Sequence, residues 1–240
     1  NRCEEVYEVD DYLYFYDYPS KFTKQQVDFV IDKLDLQGKE KILDIPCGYG
    51  RHSFYLGEKG FDVTGIDLMN GFLNYARENN NSKNVKYIQG DMRKIKYKRE
   101  FDVVIMLGGS FGFFSDRENE RVIEKISNAL KSNGYFIMDN LSRDHLLNTY
   151  KNQCVNRQND DFMIDFNNFD YVEGRSYCER VIVRDGQIRK VNFSIRLYNI
   201  NELKKMSKKY DMIIEDAYGD WSGGNYDKNA KRQIVIMKKR

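Results

Sequence analysis

The chain of 240 residues contains only two histidines, two prolines and four cysteines, and it has no long apolar run. The cysteines show no Cys-x-x-Cys spacing and have no histidine nearby, which argues against a zinc site or a disulfide framework and favours a reducing compartment. No stretch approaches the roughly 18 consecutive apolar residues of a membrane helix, and no signal-peptide pattern opens the chain. We therefore expect a cytoplasmic protein without a membrane partner.

The charge of the chain is nearly balanced, with 39 Lys and Arg residues against 37 Asp and Glu residues and a net charge of +2. Such a balance provides no general attraction to nucleic acid. An apolar fraction of 41% with 14% aromatic residues is typical of a globular protein. The length suffices for one sizeable core with a modest appended lobe.

The most informative stretch is Lys41–His52, KILDIPCGYGRH. Its first residues form a short apolar run that predicts a buried strand, Gly48 and Gly50 predict a tight turn, and the segment that follows predicts a helix. Glycine suits such a turn because a cofactor could approach the backbone without meeting a Cβ atom. The next predicted strand, residues 61–66, leads to Asp67, 17 residues after Gly50. This spacing is close to that between a nucleotide-binding turn and the acid that binds ribose hydroxyls.

Four blocks follow one another between residues 41 and 114: LDIPCGYGRH, GIDLM, GDMRKI and FDVVIMLGGSFGFF. In this order and at these spacings they resemble class I S-adenosylmethionine-dependent methyltransferases of the small-molecule type. The resemblance implies a Rossmann-like α/β fold with a seven-stranded sheet of order 3-2-1-4-5-7-6, in which the last strand is antiparallel. It also implies S-adenosyl-L-methionine as the cofactor and S-adenosyl-L-homocysteine as its product.

The rest of the chain is compatible with this fold. The third to seventh strands of the sheet are predicted at residues 85–89, 101–107, 135–139, 211–217 and 232–238. Between the fifth strand and the last helix, alternating segments around the turn Asp185-Gly186 predict an antiparallel β insertion. We expect residues 1–150 to hold an N-terminal arm and the cofactor-binding core, residues 151–200 to form the insertion as a wall of the acceptor pocket, and residues 201–240 to complete the sheet.

The resemblance implies a cofactor site built from the residues that match the family's motifs. These are Asp44, Cys47, Gly48, Gly50, Arg51, His52, Asp67, Leu68, Asp91, Met92, Leu107 and Gly108. Among them, Asp44 is expected to hold the cofactor's ammonium group, Gly48 and Gly50 to let its methionine portion lie against the backbone, and Asp67 to accept hydrogen bonds from both ribose hydroxyls. Asp44 and Asp67 could alternatively be carboxylates that only cap turns.

The remaining motif residues are expected at the two ends of the cofactor. The resemblance places Asp91 and Met92 at the adenine, and it places Leu107 and Gly108 at the methionine moiety through their main-chain atoms. In one departure from the family, Pro46 stands where a glycine or another small residue is common. Because proline has no N–H group, one backbone donor is missing from this turn.

No Ser-His-Asp set and no phosphate-binding loop is visible in the sequence, which agrees with a cofactor that already carries an activated methyl group. The candidates for a catalytic side chain are His145, Tyr16 and Tyr198. Arg196 and Trp221 are further candidates for the acceptor pocket. His52 could contact the methionine carboxylate or the substrate, or it could be a polar residue at the start of a helix.

Residues 6–18 form an aromatic and acidic segment that ends before Pro19. In similar methyltransferases such a segment lies over the cofactor and contributes a tyrosine to the site. The alternative is an aromatic arm that only packs against the core. The sequence leaves both open and does not rank its candidates, which are Tyr12, Tyr14, Tyr16 and Tyr18.

Neither a metal nor a nucleic acid is expected as a partner. The pair Asp139-Asn140 is similar to part of the magnesium site of catechol-type methyltransferases, but strand four ends in Leu107-Gly108 and supplies no third carboxylate. The tetrapeptides Asn-Pro-Pro-Tyr and Asp-Pro-Pro-Tyr of enzymes that methylate DNA adenine are absent. The paired catalytic cysteines of pyrimidine C5 enzymes are absent as well.

The sequence therefore predicts a monomeric or homodimeric methyltransferase that acts on N or O of a small-molecule acceptor. An alternative hypothesis is a non-catalytic sensor or scaffold that has the same fold and keeps the cofactor. A nicotinamide-dependent oxidoreductase would share the strand, turn and helix. However, the turn of this chain, Gly-Tyr-Gly-Arg-His-Ser, lacks the third glycine of Gly-x-Gly-x-x-Gly.

Overall fold

The computed structural model describes residues 8–16 and 18–240. Val6, Tyr7 and Asp17 of the predicted aromatic arm therefore lie outside the described residues. In chain order the elements are α1 (Val9–Phe15), α2 (Ser20–Lys33), β1 (Lys41–Asp44), α3 (Arg51–Glu58), β2 (Asp62–Asp67), α4 (Asn70–Asn79), β3 (Val85–Gln89), β4 (Phe101–Met106), α5 (Asp116–Ala129), β5 (Leu130–Leu141), α6 (Arg143–Asn148), β6 (Gln153–Gln158), β7 (Asp161–Asp170), β8 (Arg175–Arg184), β9 (Gln187–Arg196), α7 (Ile200–Lys208), β10 (Met212–Tyr218) and β11 (Arg232–Lys239).

Seven strands form one sheet in the order β3-β2-β1-β4-β5-β11-β10. The pairs among β1 to β5 are parallel, whereas β11 runs antiparallel to both of its neighbours, β5 and β10. This confirms the predicted order and the direction of the last strand. The central strands β1 and β4 carry apolar residues on both faces, as expected for parallel strands covered by helices on each side.

Helices cover the two faces of this sheet and bury their apolar sides against it. Residues of α2 and α3, including Val27 and Leu56, belong to one buried cluster, and residues of α5 and α7, including Ile126 and Leu203, belong to the other. Both α5 and α7 begin with a capping box, formed in α5 by Ser115 with its N3 glutamate. Within residues 8–16 and 18–240, no helix combines the length and the apolar character that crossing a membrane requires.

A second sheet of four antiparallel strands, in the order β6-β7-β8-β9, follows the fifth strand of the large sheet. The turn Asp185-Gly186 joins β8 to β9, and both of its residues have positive φ angles of 52° and 74°, as a two-residue hairpin requires. The predicted β insertion is thereby confirmed. Its first strand, β6, was not predicted, because its exposed and mostly polar residues show no apolar alternation.

The second sheet is joined to the large one on two sides. On one side Phe113, in the loop after β4, packs against Phe193 of β9. On the other side Phe15 of α1 is buried with Met163 and Ile182 of the second sheet. The loop after β4 and helix α1 therefore connect this sheet to the end of the large sheet at which the glycine turn lies.

Candidate functional site

A cavity lies at the carboxyl ends of β1, β2 and β4, where ligands bind in open α/β sheets. Its walls come from the glycine turn after β1, the loops after β2, β3 and β4, and helix α1. The lining residues are Tyr12, Ile45, Pro46, Cys47, Gly48, Tyr49, Arg51, His52, Ile66, Asp67, Leu68, Met69, Phe72, Gly90, Asp91, Met92, Leu107, Gly108, Gly109, Ser110, Phe113 and Phe114. We call this the cofactor cavity.

The turn after β1 shapes the floor of the cofactor cavity. Gly48 and Gly50 both adopt the left-handed conformation, with φ angles of 55° and 79°, and the Ile45–Pro46 peptide bond is cis. A Cβ atom on Gly48 would meet no atom within 4 Å, so space above this backbone is open to a ligand. A Cβ atom on Gly50 would instead lie 2.7 Å from Cζ of Tyr87. Both glycines thus suit the left-handed backbone, but Gly48 lies beside open space, whereas at Gly50 a side chain would also overlap Tyr87.

Asp67 connects the end of β2 with this turn. One of its carboxylate oxygens accepts a hydrogen bond from the Gly48 N–H at 2.8 Å, and the other accepts from the Met69 N–H at 2.9 Å. Burial raises the pKa of Asp67, and the backbone N–H donors act against this rise. Each carboxylate oxygen has a further lone pair, so the group can still accept hydrogen bonds from a ligand in the cavity.

Asp44 differs from Asp67 because its side chain is enclosed by protein. Its exposed fraction is 1%, its carboxylate accepts a hydrogen bond from the Ser53 hydroxyl at 2.6 Å, and it does not belong to the cavity lining. Burial raises the pKa of Asp44 to about 7, although the Ser53 hydroxyl acts in the opposite direction. The expected contact of Asp44 with the cofactor's ammonium group stays a prediction.

We expect the wild-type protein to lose stability between about pH 5 and 8, and Asp44→Asn to lose less of it. The folded-state pKa of Asp44, about 7, exceeds the value of about 3.9 in an unfolded chain, so folded molecules hold an extra proton between these values. The free energy of unfolding therefore falls as the pH rises through this window. Urea unfolding of both proteins across this pH range measures the effect.

Subtracting the unfolding free energy of Asp44→Asn from that of the wild-type protein at each pH removes the contributions of the other titrating groups. One of them is His52, for which burial holds the pKa well below its usual value and so acts in the opposite direction. A difference in unfolding free energy that stays constant from pH 5 to 8 would contradict the assignment for Asp44.

Arg51 and His52 open helix α3 and share one partner in α2. The Arg51 guanidinium donates hydrogen bonds to Thr23 Oγ1 at 2.9 Å and to Gln26 Oε1 at 2.7 Å, and His52 Nε2 lies 2.9 Å from the same Gln26 oxygen. Within residues 8–16 and 18–240 Arg51 has no ion-pair partner, although its guanidinium lies 4.6 Å from the centre of the Tyr18 ring. It is thus an arginine in the cavity wall that can pair with an anionic group of a ligand.

The far wall of the cavity contains the other motif residues. Asp91 is held by Arg93, whose Nε and Nη2 atoms lie 3.0 and 2.8 Å from its two oxygens. Burial acts to raise the pKa of Asp91, but the hydrogen bonds from Arg93 outweigh it and leave the pKa below its usual value. Gly108 donates its N–H to Asp139 Oδ2 at 3.2 Å, and Asp139 also forms an ion pair with Arg232 at 2.6 Å.

Comparison with known proteins agrees with this geometry. A family model described as a methyltransferase domain matches residues 42–134, which hold the glycine turn, Asp67, Asp91 and the loop after β4. The crystal structure of an S-adenosylmethionine-dependent methyltransferase from Clostridium acetobutylicum has the same fold, with a TM-score of 0.83 and 22% identity over 96% of this chain and 98% of that one. Residues 42–134 thus match a methyltransferase domain, and the chain has the fold of a class I S-adenosylmethionine-dependent methyltransferase.

Two curated proteins are similar to this chain over part of their length. A glycine/sarcosine N-methyltransferase from Parasynechococcus marenigrum is 36% identical over 125 residues, which cover 50% of this chain and 44% of that protein. A malonyl-[acyl-carrier protein] O-methyltransferase from Acetivibrio thermocellus is 32% identical over 123 residues, which cover 50% of this chain and 42% of that protein. The chain thus spans about half the length of the curated relatives it matches.

The structure does not bring every predicted site residue to the cavity. His145 lies in α6 and Trp221 packs edge-to-face against Phe29, and neither is part of the cavity lining. Tyr198 is 6% exposed and donates its hydroxyl hydrogen bond to Asp116 at 2.7 Å. The remaining pocket candidate, Arg196, is buried and hydrogen-bonds to Glu202 and the Leu197 carbonyl oxygen. Tyr198, Arg196 and Trp221 are buried in the packing of the fold, whereas His145 is partly exposed. The roles of all four in the site stay predictions.

Sequence reasoning missed several aromatic residues of the cavity wall. Four aromatic residues line the cavity without having been predicted there: Tyr49, Phe113 and Phe114 lie within the family's motif blocks, and Phe72 follows one of them by three residues. Among the four arm tyrosines, Tyr12 is the one that lines the cavity, and its ring centre lies 5.3 Å from that of Phe72. Large aromatic side chains within or just after a motif were the available signal for the residues of the turn and the loops.

Proposed function

We propose that this protein transfers a methyl group from S-adenosylmethionine to the nitrogen of a small-molecule amine. The observation that carries the proposal is the cavity in which Asp67, held by two backbone N–H groups, lies beside the open backbone of Gly48. A carboxylate oriented in this way is suited to two ribose hydroxyls, and an open glycine backbone is suited to a methionine chain. The relative that methylates glycine and sarcosine supports an amine as the acceptor.

Each end of the bound cofactor would meet side chains of matching chemistry. Leu68 and Met92 offer apolar surface to the adenine, and Asp91 lies in the same wall. Arg51 offers its guanidinium to the methionine carboxylate, in a bidentate geometry that carboxylates favour. Main-chain atoms of Leu107 and Gly108 complete this end, where Asp139 holds the Gly108 N–H.

S-adenosylmethionine supplies a methyl group already activated on a sulfonium, so the protein has mainly to position the acceptor and exclude water. The acceptor nitrogen forms a bond to the methyl carbon while the carbon–sulfur bond breaks, and its electron pair goes to sulfur. The nitrogen becomes cationic and then loses a proton to solvent. Aromatic faces stabilise such developing positive charge, and Tyr12, Tyr49 and Phe72 present them at the cavity.

The proposal is tested by calorimetric titration with S-adenosylhomocysteine, followed by transfer assays with methyl-labelled S-adenosylmethionine and a panel of amines and alcohols. Micromolar binding together with labelling of an amine is the expected result. Binding without transfer to any acceptor would favour the sensor hypothesis. Labelling of alcohols alone would overturn the choice of nitrogen, and binding of NAD without any heat from S-adenosylhomocysteine would overturn the whole proposal.

A further inference from the structure

The motif Asp139-Asn140 at the end of β5 lies beside the cofactor cavity but does not line it. Asp139 is 1% exposed, and a guanidinium from the last strand of the chain holds its carboxylate. Arg232 of β11 donates two hydrogen bonds, from Nε to Oδ1 at 2.7 Å and from Nη2 to Oδ2 at 2.6 Å. This bidentate geometry fixes the direction of both carboxylate oxygens.

The topology of the large sheet brings Arg232 and Asp139 together. Strand β11 runs antiparallel to β5, and Ile234 lies directly opposite Asp139. Side chains two residues apart on a strand project from the same face, so Arg232 is the diagonal neighbour of Asp139. A buried ion pair adds little net stability, because the cost of desolvation offsets the attraction. The main physical effect of this pair is therefore a fixed geometry.

Asp139 transmits this geometry to the loop after β4. Its Oδ2 atom also accepts a hydrogen bond from the Gly108 N–H at 3.2 Å, and its carbonyl oxygen accepts one from the Gly109 N–H at 2.9 Å. Both glycines line the cofactor cavity. A Cβ atom on Gly109 would lie 4.0 Å from Arg232 Nη2, whereas one on Gly108 would meet nothing within 4 Å. Asp139 and Arg232 thus hold the loop, and space is open at Gly108.

The hydrogen bond from Gly108 orients one peptide group of the cavity wall. The Leu107–Gly108 peptide bond is trans, so its N–H and C=O groups point in opposite directions. Strand β4 lies between β5 and β1. Because the N–H points at Asp139 on β5, the Leu107 carbonyl oxygen points toward the glycine turn that follows β1. Within residues 8–16 and 18–240 no protein group donates a hydrogen bond to this oxygen.

We propose that Arg232 is a positioning residue for the methionine end of the cofactor and acts through Asp139 on the Leu107 carbonyl oxygen. This inference rests on the proposed function. The ammonium group of the methionine portion carries only donors, and a carbonyl oxygen is an acceptor of matching chemistry. An acceptor that already points at the ligand needs no reorganisation when the ligand binds. Arg232 therefore increases affinity for the cofactor without touching it.

The test compares two ligands that differ only in the ammonium group. These are S-adenosylhomocysteine and its deaminated analogue, in which hydrogen replaces the amino group and the carboxylate remains. Arg232→Met removes the guanidinium and is expected to weaken the binding of S-adenosylhomocysteine about 10-fold, since a charge-assisted hydrogen bond loses its fixed acceptor. The affinity for the deaminated analogue is expected to stay within about twofold. Calorimetric titration measures both affinities.

An ion pair at the opposite edge of the sheet provides the matched control. Lys131 of β5 lies 2.8 Å from the carboxylate of Asp102 in β4, and this carboxylate also accepts a backbone N–H, that of Lys41, at 2.9 Å. The arrangement is similar to that at Asp139, but none of its residues lines the cofactor cavity. Lys131→Met is therefore expected to keep the affinity for both ligands within about twofold.

A double-mutant cycle distinguishes positioning from loss of structure. Arg232→Met leaves the buried carboxylate of Asp139 without its cation, which is destabilising. The double variant Asp139→Asn with Arg232→Met leaves no charge at this place, so it serves for the ligand comparison if the single variant does not fold. In the Asp139→Asn background, Arg232→Met is expected to cause no further loss of affinity for S-adenosylhomocysteine, because the guanidinium acts through the carboxylate.

Several results would overturn the inference. These are unchanged affinity for S-adenosylhomocysteine in Arg232→Met, equal losses for both ligands, additive losses in the cycle, and a wild-type protein that binds the two ligands equally. Each of them leaves the proposed function in place, because S-adenosylhomocysteine still binds the wild-type protein. Failure of the wild-type protein to bind S-adenosylhomocysteine would instead overturn the proposed function itself.

Discussion

Asp67→Ala is expected to weaken the binding of S-adenosylhomocysteine about 100-fold, or roughly 3 kcal/mol, as for the loss of hydrogen bonds to a charged group. The substitution removes the proposed partner of the ribose hydroxyls. It also releases the N–H groups of Gly48 and Met69, which the carboxylate holds at 2.8 and 2.9 Å. Both effects act on the same cavity, which is why this change is expected to have the largest effect on binding. Calorimetric titration measures it.

Asp62→Ala is the matched control, because Asp62 lies at the other end of the same strand with a side chain that is 65% exposed. Its affinity for S-adenosylhomocysteine should equal that of the wild-type protein. A 2′-deoxy analogue separates ribose contact from turn geometry. The wild-type protein should bind this analogue more weakly than S-adenosylhomocysteine. Asp67→Ala should bind the two ligands with equal affinity. An affinity of Asp67→Ala within threefold of wild type would show that Asp67 only caps the turn.

Gly112→Ala is expected to lower the free energy of unfolding by about 3 kcal/mol or more, since backbone strain and overlap add up. Gly112 has a φ angle of 109°, and a Cβ atom there would overlap the carbonyl oxygen of Arg196. The Gly112 carbonyl oxygen also accepts a hydrogen bond from the Arg196 N–H at 2.8 Å. Moving the loop after β4 away from the end of β9 to make room for the Cβ atom would break this bond. Urea unfolding of both proteins checks this prediction.

Gly60→Ala provides the comparison for Gly112→Ala. Gly60 has a similar φ angle of 95°, but a Cβ atom there would meet nothing within 4 Å. It therefore carries backbone strain alone, with an expected cost of about 1–2 kcal/mol. Gly112→Ala should in addition lose affinity for S-adenosylhomocysteine, because Phe113 and Phe114 of the same loop line the cofactor cavity. Equal destabilisation by the two substitutions would mean that the contact with Arg196 is not tight.

Local patterns predicted the floor of the site well. The apolar run before Gly48 predicts a strand, the two glycines predict a turn, and the spacing to Asp67 predicts a carboxylate at the neighbouring strand end. The structure has these features at the predicted positions. The chemistry of each depends on neighbours within a few residues or on one adjacent strand, so it can be recognised without a tertiary structure. The order of the seven strands came from the resemblance to a family.

Which of the predicted site residues line the cavity depends on residues that are distant in the chain. Asp44 and Asp67 follow similar strands, yet packing encloses Asp44 with Ser53 and leaves Asp67 in the cavity wall. Tyr198 was a candidate as reasonable as the tyrosines of the arm, but it is buried against Asp116, whereas Tyr12 lines the cavity. No local pattern distinguishes these cases, because burial depends on which distant elements cover a residue.

The sequence by itself determined the glycine turn and the acid at the end of β2, since these follow from short-range periodicity and from the need for a Cβ-free backbone, and the resemblance of its motifs to a family implied the fold. Only the tertiary structure decided which tyrosine of the arm lines the cavity and which one is held by Arg180. The physical reason is that Tyr16 and Arg180 are 164 positions apart in the chain, so their hydrogen bond depends on how the whole fold places the arm against β8.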